Sequence, residues 1–377
     1  MKQLAADAIV ITGLGMRSSL GGVITACAAA RAGISAGKEL GHFLVFDEDG
    51  VEEGAIGHPV STAAGFQGAA KLLCLAWPAL EEALQREDLR SVDHERTGLY
   101  ICLTDPKSRR SLEDGNGTKP PNPRSKPSFG NASCAKLMRL AALGVPRSNW
   151  NFIPDGQSGI VRAVLEASTK LKAGQWHRCL VGGVDSLLDE STLQSLQGAR
   201  RLKTASKPDG LQPGEAAAFV VLERFDVARR RNAEILAAVT GGSVTTDGGH
   251  SGADDHGDSA AGLAKAVLAL LSTADAPMTD GFWFISDHNG EHHRARELGN
   301  VIVNLSSKLP DVAARPLWFP AASFGDTGAA SGAIAICMAT QSFVRGYPNG
   351  LSALILSSSD RAARGALRID SVSGDRV

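Results

Sequence analysis

Short apolar and β-branched runs alternate along the chain with longer stretches whose apolar positions recur at helical spacing. The runs at 9–12, 98–103, 150–153, 178–181, 217–222, 235–240, 281–285 and 353–356 predict buried strands. The stretches at 68–84, 132–143, 160–172, 260–271 and 328–345 predict helices. Strands that alternate with helices over the whole length imply an α/β architecture with at least partly parallel sheets.

Composition narrows this reading. With 377 residues and 43% hydrophobic content, the chain can bury one extensive core or two similar ones. Its 42 glycines and only 5% aromatics suit backbones that approach closely. A formal net charge of −1 provides no global attraction to nucleic acid or an anionic membrane. No apolar run approaches the roughly 18 residues of a membrane span, and the start, with Lys2 and Asp7, shows no export signal, so a cytoplasmic location is expected. Cys27, Cys74, Cys102, Cys134, Cys179 and Cys337 are scattered without metal-type spacing and read as buried free thiols.

Two stretches break the pattern. Residues 104–128 carry Lys107, Arg109, Arg110, Lys119, Arg124 and Lys126 among prolines, which predicts a long basic surface excursion. Residues 245–258 are rich in Gly, Asp and His, but Asp254, Asp255, His256 and Asp258 lack a diagnostic ligand spacing, as do His292 and His293. Neither a metal nor a cofactor is expected.

The segment 151–159 runs from an apolar strand through a small-residue turn into an amphipathic helix, which puts Gln157 at a helix mouth. Such a position stabilises an anion and would depress a thiol pKa. Around it stand, in order, Ile9-Val10-Ile11-Thr12-Gly13-Leu14-Gly15, then Cys179-Leu180-Val181-Gly182-Gly183-Val184-Asp185, then Lys207-Pro208-Asp209-Gly210 through Gly214-Glu215-Ala216. Ser286-Asp287-His288-Asn289-Gly290 and Ser323-Phe324-Gly325-Asp326-Thr327-Gly328 follow.

This ordered set resembles the β-ketoacyl-ACP synthases of the thiolase superfamily. The resemblance spans essentially the whole chain and implies the thiolase fold: two similar α/β halves, 1–235 and 236–377, in a five-layered αβαβα arrangement with two mixed sheets. It also implies a dimer formed through the strand ahead of the elbow, near 149–153, where Trp150 and Phe152 are two large aromatics in a chain that uses few.

By the same resemblance, Gln157 stands where the family has its nucleophilic cysteine, His288 at the first histidine, Asp326 at the second and Ala321 at the lysine. Ser357-Ser358-Ser359-Asp360 replaces a C-terminal glycine loop. A carboxamide cannot take an acyl group, and a carboxylate at position 326 would oppose a developing enolate. Cys134 and Ser158 are the nearest substitute nucleophiles, the former read as a packed thiol and the latter dependent on His288 as its base. The expectation is therefore a protein that has lost condensing activity and binds another protein. It would serve as an adaptor or chaperone, for example for a secreted effector, or as a chain-length-factor-like partner in a homodimer or heterodimer. The competing expectation is an acyltransferase or malonyl-thioester decarboxylase acting on acyl carrier protein or coenzyme A thioesters.

Overall fold

The computed structural model describes residues 4–46, 52–85, 93–104, 129–246, 261–273, 281–309 and 311–372. The basic excursion at 105–128 and the loop at 247–258 lie outside the described residues.

In chain order the first half contains β1 (Ile9–Arg17), α1 (Val23–Arg31), β2 (Lys38–Phe46), β3 (Glu52–Gly57), α2 (Gly68–Leu84), β4 (Thr97–Cys102), α3 (Asn131–Leu140) and β5 (Trp150–Ile153). It continues with α4 (Gly159–Lys172), β6 (Arg178–Ser186), α5 (Glu190–Gly198), β7 (Glu215–Arg224) and α6 (Phe225–Arg230). The second contains β8 (Ala237–Thr246), α7 (Ala261–Thr273), β9 (Phe282–Ser286), α8 (His292–Ser306), β10 (Leu317–Trp318), α9 (Ala321–Phe324), α10 (Ser331–Arg345), β11 (Ser352–Ser358) and β12 (Ala363–Asp370).

The two sets repeat one topology. In the first, β5, β4 and β6 run parallel and β6, β7 and β1 antiparallel. In the second, β10, β9 and β11 run parallel and β11, β12 and β8 antiparallel. The two expected sheets are spliced into one of ten strands, because Ile9, Val10 and Ile11 of β1 also pair antiparallel with Val239, Ala238 and Ala237 of β8. Strands β5 and β10 form its free edges.

Helices α4 and α10 lie between the two half-sheets and share the largest core cluster with both, including Ile160, Val164, Ala333 and Ile336. Helices α2 and α3 cover the outside of the first half-sheet and α7 and α8 that of the second, completing five layers. Close approach explains part of the glycine content. A Cβ on Gly15 would sit 1.8 Å from the carbonyl oxygen of Ala79, so α2 lies directly on β1. The hairpin β2–β3, absent from the pattern-based reading, packs Leu40, Phe43 and Val45 against Leu187, Leu193 and Leu211 in a small cap.

Candidate functional site

Strand β5 ends at Ile153, and the chain turns through Gly156, whose φ of +61° favours glycine, into a single 3₁₀ turn that opens α4. Gln157 occupies that turn and is buried. Its carboxamide makes no hydrogen bond among the described residues. The turn packs against residues 328–330, just beyond Asp326, and against the end of β11.

The segment 357–360 closes over this elbow. The Ser158 N–H donates to Ser359 Oγ at 3.1 Å, and the two hydroxyls lie 2.6 Å apart. Ser359 Oγ in turn donates to the Asp155 carbonyl. Ser158 is thus partnered by Ser359 rather than by His288. Cys134 is a core thiol of α3, pushed up to about 12 chiefly by burial.

His288 lines a half-open cleft of about 230 Å³ together with Lys203, Gln212, Asn289, Phe319 and Ala321. Neither Gln157 nor Asp326 lines it. Its ring stands edge-on to Phe319 with centroids 5.3 Å apart, and its buried Nδ1 has no hydrogen-bond partner. Burial, then the nearby Arg294 charge, holds the imidazole below its usual pKa, so it is neutral at physiological pH.

Asp326 is a buried anchor. Its Oδ1 accepts the Gly328 N–H at 2.8 Å, and its Oδ2 accepts from Asn289 Nδ2 at 2.7 Å. Burial pushes its carboxyl above the ordinary value. Through Asn289 it joins a chain of charges. Asn289 Nδ2 also donates to Glu291 Oε2 at 2.9 Å, and Arg201 holds Glu291 with two bonds of 2.7 and 2.8 Å. Arg201 also donates to both oxygens of Asp360, at 3.0 and 3.1 Å. Asp360 accepts from Arg294 at 2.9 Å, and Arg294 reaches Asp287 at 3.2 Å. The Ser358 N–H donates to Asp287 Oδ2 at 2.7 Å. Burial pushes Asp287 up to about 7 against the pull of Arg294. Against the cost of burial, Arg201 and Arg294 hold Asp360 far below the usual carboxylate range.

The motifs of the sequence include Asp287 and Asp360 but give no sign of their link, nor of Glu291, Arg201, Arg294 or His58. The Arg201–Asp360 pair is 159 positions apart, so no local pattern announces it. His58 is fully buried against Gly325, next to the anchor, with Nε2 3.2 Å from Gln212 Oε1. The Gly214-Glu215 motif is a joint as well as a packing site: Glu215 accepts from Val60 N at 2.9 Å, Lys71 Nζ at 3.0 Å and Ser186 Oγ at 2.8 Å. His292 and His293 are exposed, and among the described residues no group of three potential ligands is placed to hold a metal ion.

No family model matches the chain. It is 29% identical over 155 residues to a 3-oxoacyl-[acyl-carrier-protein] synthase 2 of Mycobacterium leprae, covering 37% of this chain and 34% of that protein. It is likewise 29% identical over 177 residues to a putative mitochondrial 3-oxoacyl-[acyl-carrier-protein] synthase of Schizosaccharomyces pombe, covering 43% of this chain and 40% of that protein. The chain therefore spans less than half the length of these relatives. Solved structures match nearly end to end. A complex described as a type II PKS acyl-carrier protein with its ketosynthase bound to the hexaketide gives a TM-score of 0.77 at 18% identity, covering 97% of this chain and 99% of the matched one. The ishigamide ketosynthase/chain length factor gives 0.76 at 16% identity, covering 98% and 100%. The chain has the thiolase fold of these ketosynthase structures, and part of it is similar in sequence to 3-oxoacyl-[acyl-carrier-protein] synthases. Among the described residues no helix is long and apolar enough to cross a membrane.

Proposed function

We propose that this synthase-like protein has lost condensing activity and works by binding another protein, either as the partner of a synthase-like subunit or as an adaptor. The observation that carries the proposal is the state of the elbow. Acyl condensation needs a thiolate and free backbone N–H groups for the oxyanion. Here position 157 holds a carboxamide, the Ser158 N–H is taken by Ser359 and the Ser358 N–H by Asp287. Two backbone donors beside the elbow are thus taken up within the protein.

Decarboxylation is disfavoured by the same region. Asp326 supplies a carboxyl whose two oxygens are committed to Gly328 and Asn289, where that chemistry calls for a second histidine. A partner role is supported by the edge position of β5, which leaves one side of its backbone open to pairing. One structural neighbour is a ketosynthase/chain length factor, the kind of paired arrangement this reading draws on.

The test is catalytic. Purified protein supplied with an acyl-loaded carrier protein and a malonyl-loaded carrier protein is expected to form no condensed product, and Gln157→Cys alone is expected to stay inactive. Residues that act as a unit are not recovered one at a time. Turnover by the wild type or by the single variant would overturn the proposal.

A further inference from the structure

The charge chain beside the cleft joins four segments distant in sequence, around 201, 287–294, 326 and 360. Arg201 lies in the segment 199–211, which is closed on itself by Lys203 N to Leu211 O and Leu211 N to Arg201 O bonds of 2.9 Å. That segment contributes Lys203 and Gly210 to one wall of the cleft. The other wall comes from the second half, where Asp287, Glu291, Arg294, Asp326 and Asp360 reside. Arg294, Asp287, Asp326 and Glu291 are almost wholly buried, while Arg201 and Asp360 lie at the rim.

Four carboxyl groups thus face two guanidinium groups, and full ionisation leaves two uncompensated negative charges in a largely desolvated space. Such an excess is costly and is relieved by retaining a proton. Glu297 of α8 adds a carboxylate but is paired with Arg364 of β12. His288 is neutral, and His293 is exposed to solvent.

We propose that these six groups form a proton-linked joint. With one carboxyl protonated the joint clasps 199–211 to the second half, and loss of that proton loosens the segment and opens the cleft at His288. Asp287 is the proton holder: both oxygens of buried Asp326 accept N–H donors that favour its anion, whereas the bonds of Asp287 among the described residues, from Arg294 and the Ser358 N–H, fall on Oδ2 alone. The clasp does not depend on whether condensing activity has been lost.

Amide hydrogen exchange of residues 202–211 at pH 6 and pH 8, corrected for intrinsic rates, reads the clasp directly. Protection of these amides is expected to fall about tenfold at pH 8 in the wild type, as one pKa unit of coupling implies, while β7 amides keep theirs. Asp287→Asn is expected to hold the pH 6 level at both pH values. Should that variant fail to fold, Asp326→Asn provides the second reading, with a smaller fall than wild type. Equal protection at both pH values in the wild type, or an undiminished fall in the folded variant, would overturn the joint.

Discussion

Two buried titratable side chains pull stability in opposite directions with pH. Burial depresses the His58 imidazole, opposed only in part by its hydrogen bond to Gln212. Below about 6.5 the unfolded chain therefore binds a proton that the folded one refuses, and stability falls as pH drops. Asp287 does the reverse. Its carboxyl is raised to about 7, so its stabilising contribution is full below the ordinary carboxyl value and is lost as pH climbs towards 7. Thermal melts between pH 4 and 8 are expected to show His58→Gln flattening the acid-side decline and Asp287→Asn flattening the decline towards neutrality. If neither variant altered the shape of the wild-type profile, both assignments would be wrong. Gln157, His288 and Asp326 stand in ordered local patterns of the sequence, but of the three His288 alone lines the cleft. His58 was not, because its environment is built by Gln212, 154 positions away.

At the level of elements, the pattern of apolar positions found the strands and helices with the strongest periodicity and missed those with mixed faces. Helix α8 begins with six polar or small residues and buries only the stripe Leu298, Val301 and Leu305, so its signal is weak. The hairpin β2–β3 sets Lys38 and Glu39 beside its apolar side chains. What no periodicity could reveal is how near two backbones come. A Cβ on Gly15 would lie 1.8 Å from Ala79 O and 2.4 Å from Ala83 N, both atoms of a helix that cannot retreat without opening the outer core. Gly15→Ala is expected to destabilise the protein by about 3 kcal/mol in denaturant titration. Gly299, in α8, has open space around it, and Gly299→Ala is expected to stabilise by up to about 1 kcal/mol. A neutral Gly15→Ala would show that α2 and β1 are less tightly joined than the structure has them.

For the whole molecule, the repeated topology was implied by the ordered motifs, but the splice between the half-sheets was not, since it rests on three residue pairs in strands that any sheet could use. The open edge at β5 bears on assembly. Trp150 and Phe152 are half-buried against the α2 and α3 layer, and the Trp150 indole donates to Val145 O at 3.0 Å, which leaves part of both rings available to a neighbour. Sedimentation at low micromolar concentration is expected to give a dimer, or a heteromer when a partner is co-expressed, and Trp150→Asp is expected to shift it to monomer. A wild-type protein that stays monomeric under both conditions would remove the association reading.

The place of β1 in the sheet has a consequence for how the chain reaches this structure. Residues 9–17 are hydrogen-bonded on one side to 217–224 and on the other to 237–239, so the earliest strand finds its neighbours only after some two hundred further residues exist. Closing so long a loop before any pairing rewards it is slow, and it leaves an apolar strand uncovered meanwhile. During synthesis on the ribosome, Ile9, Val10 and Ile11 therefore wait as an unpaired sticky edge, which makes the nascent chain a natural client for chaperones until β7 and β8 emerge to flank them.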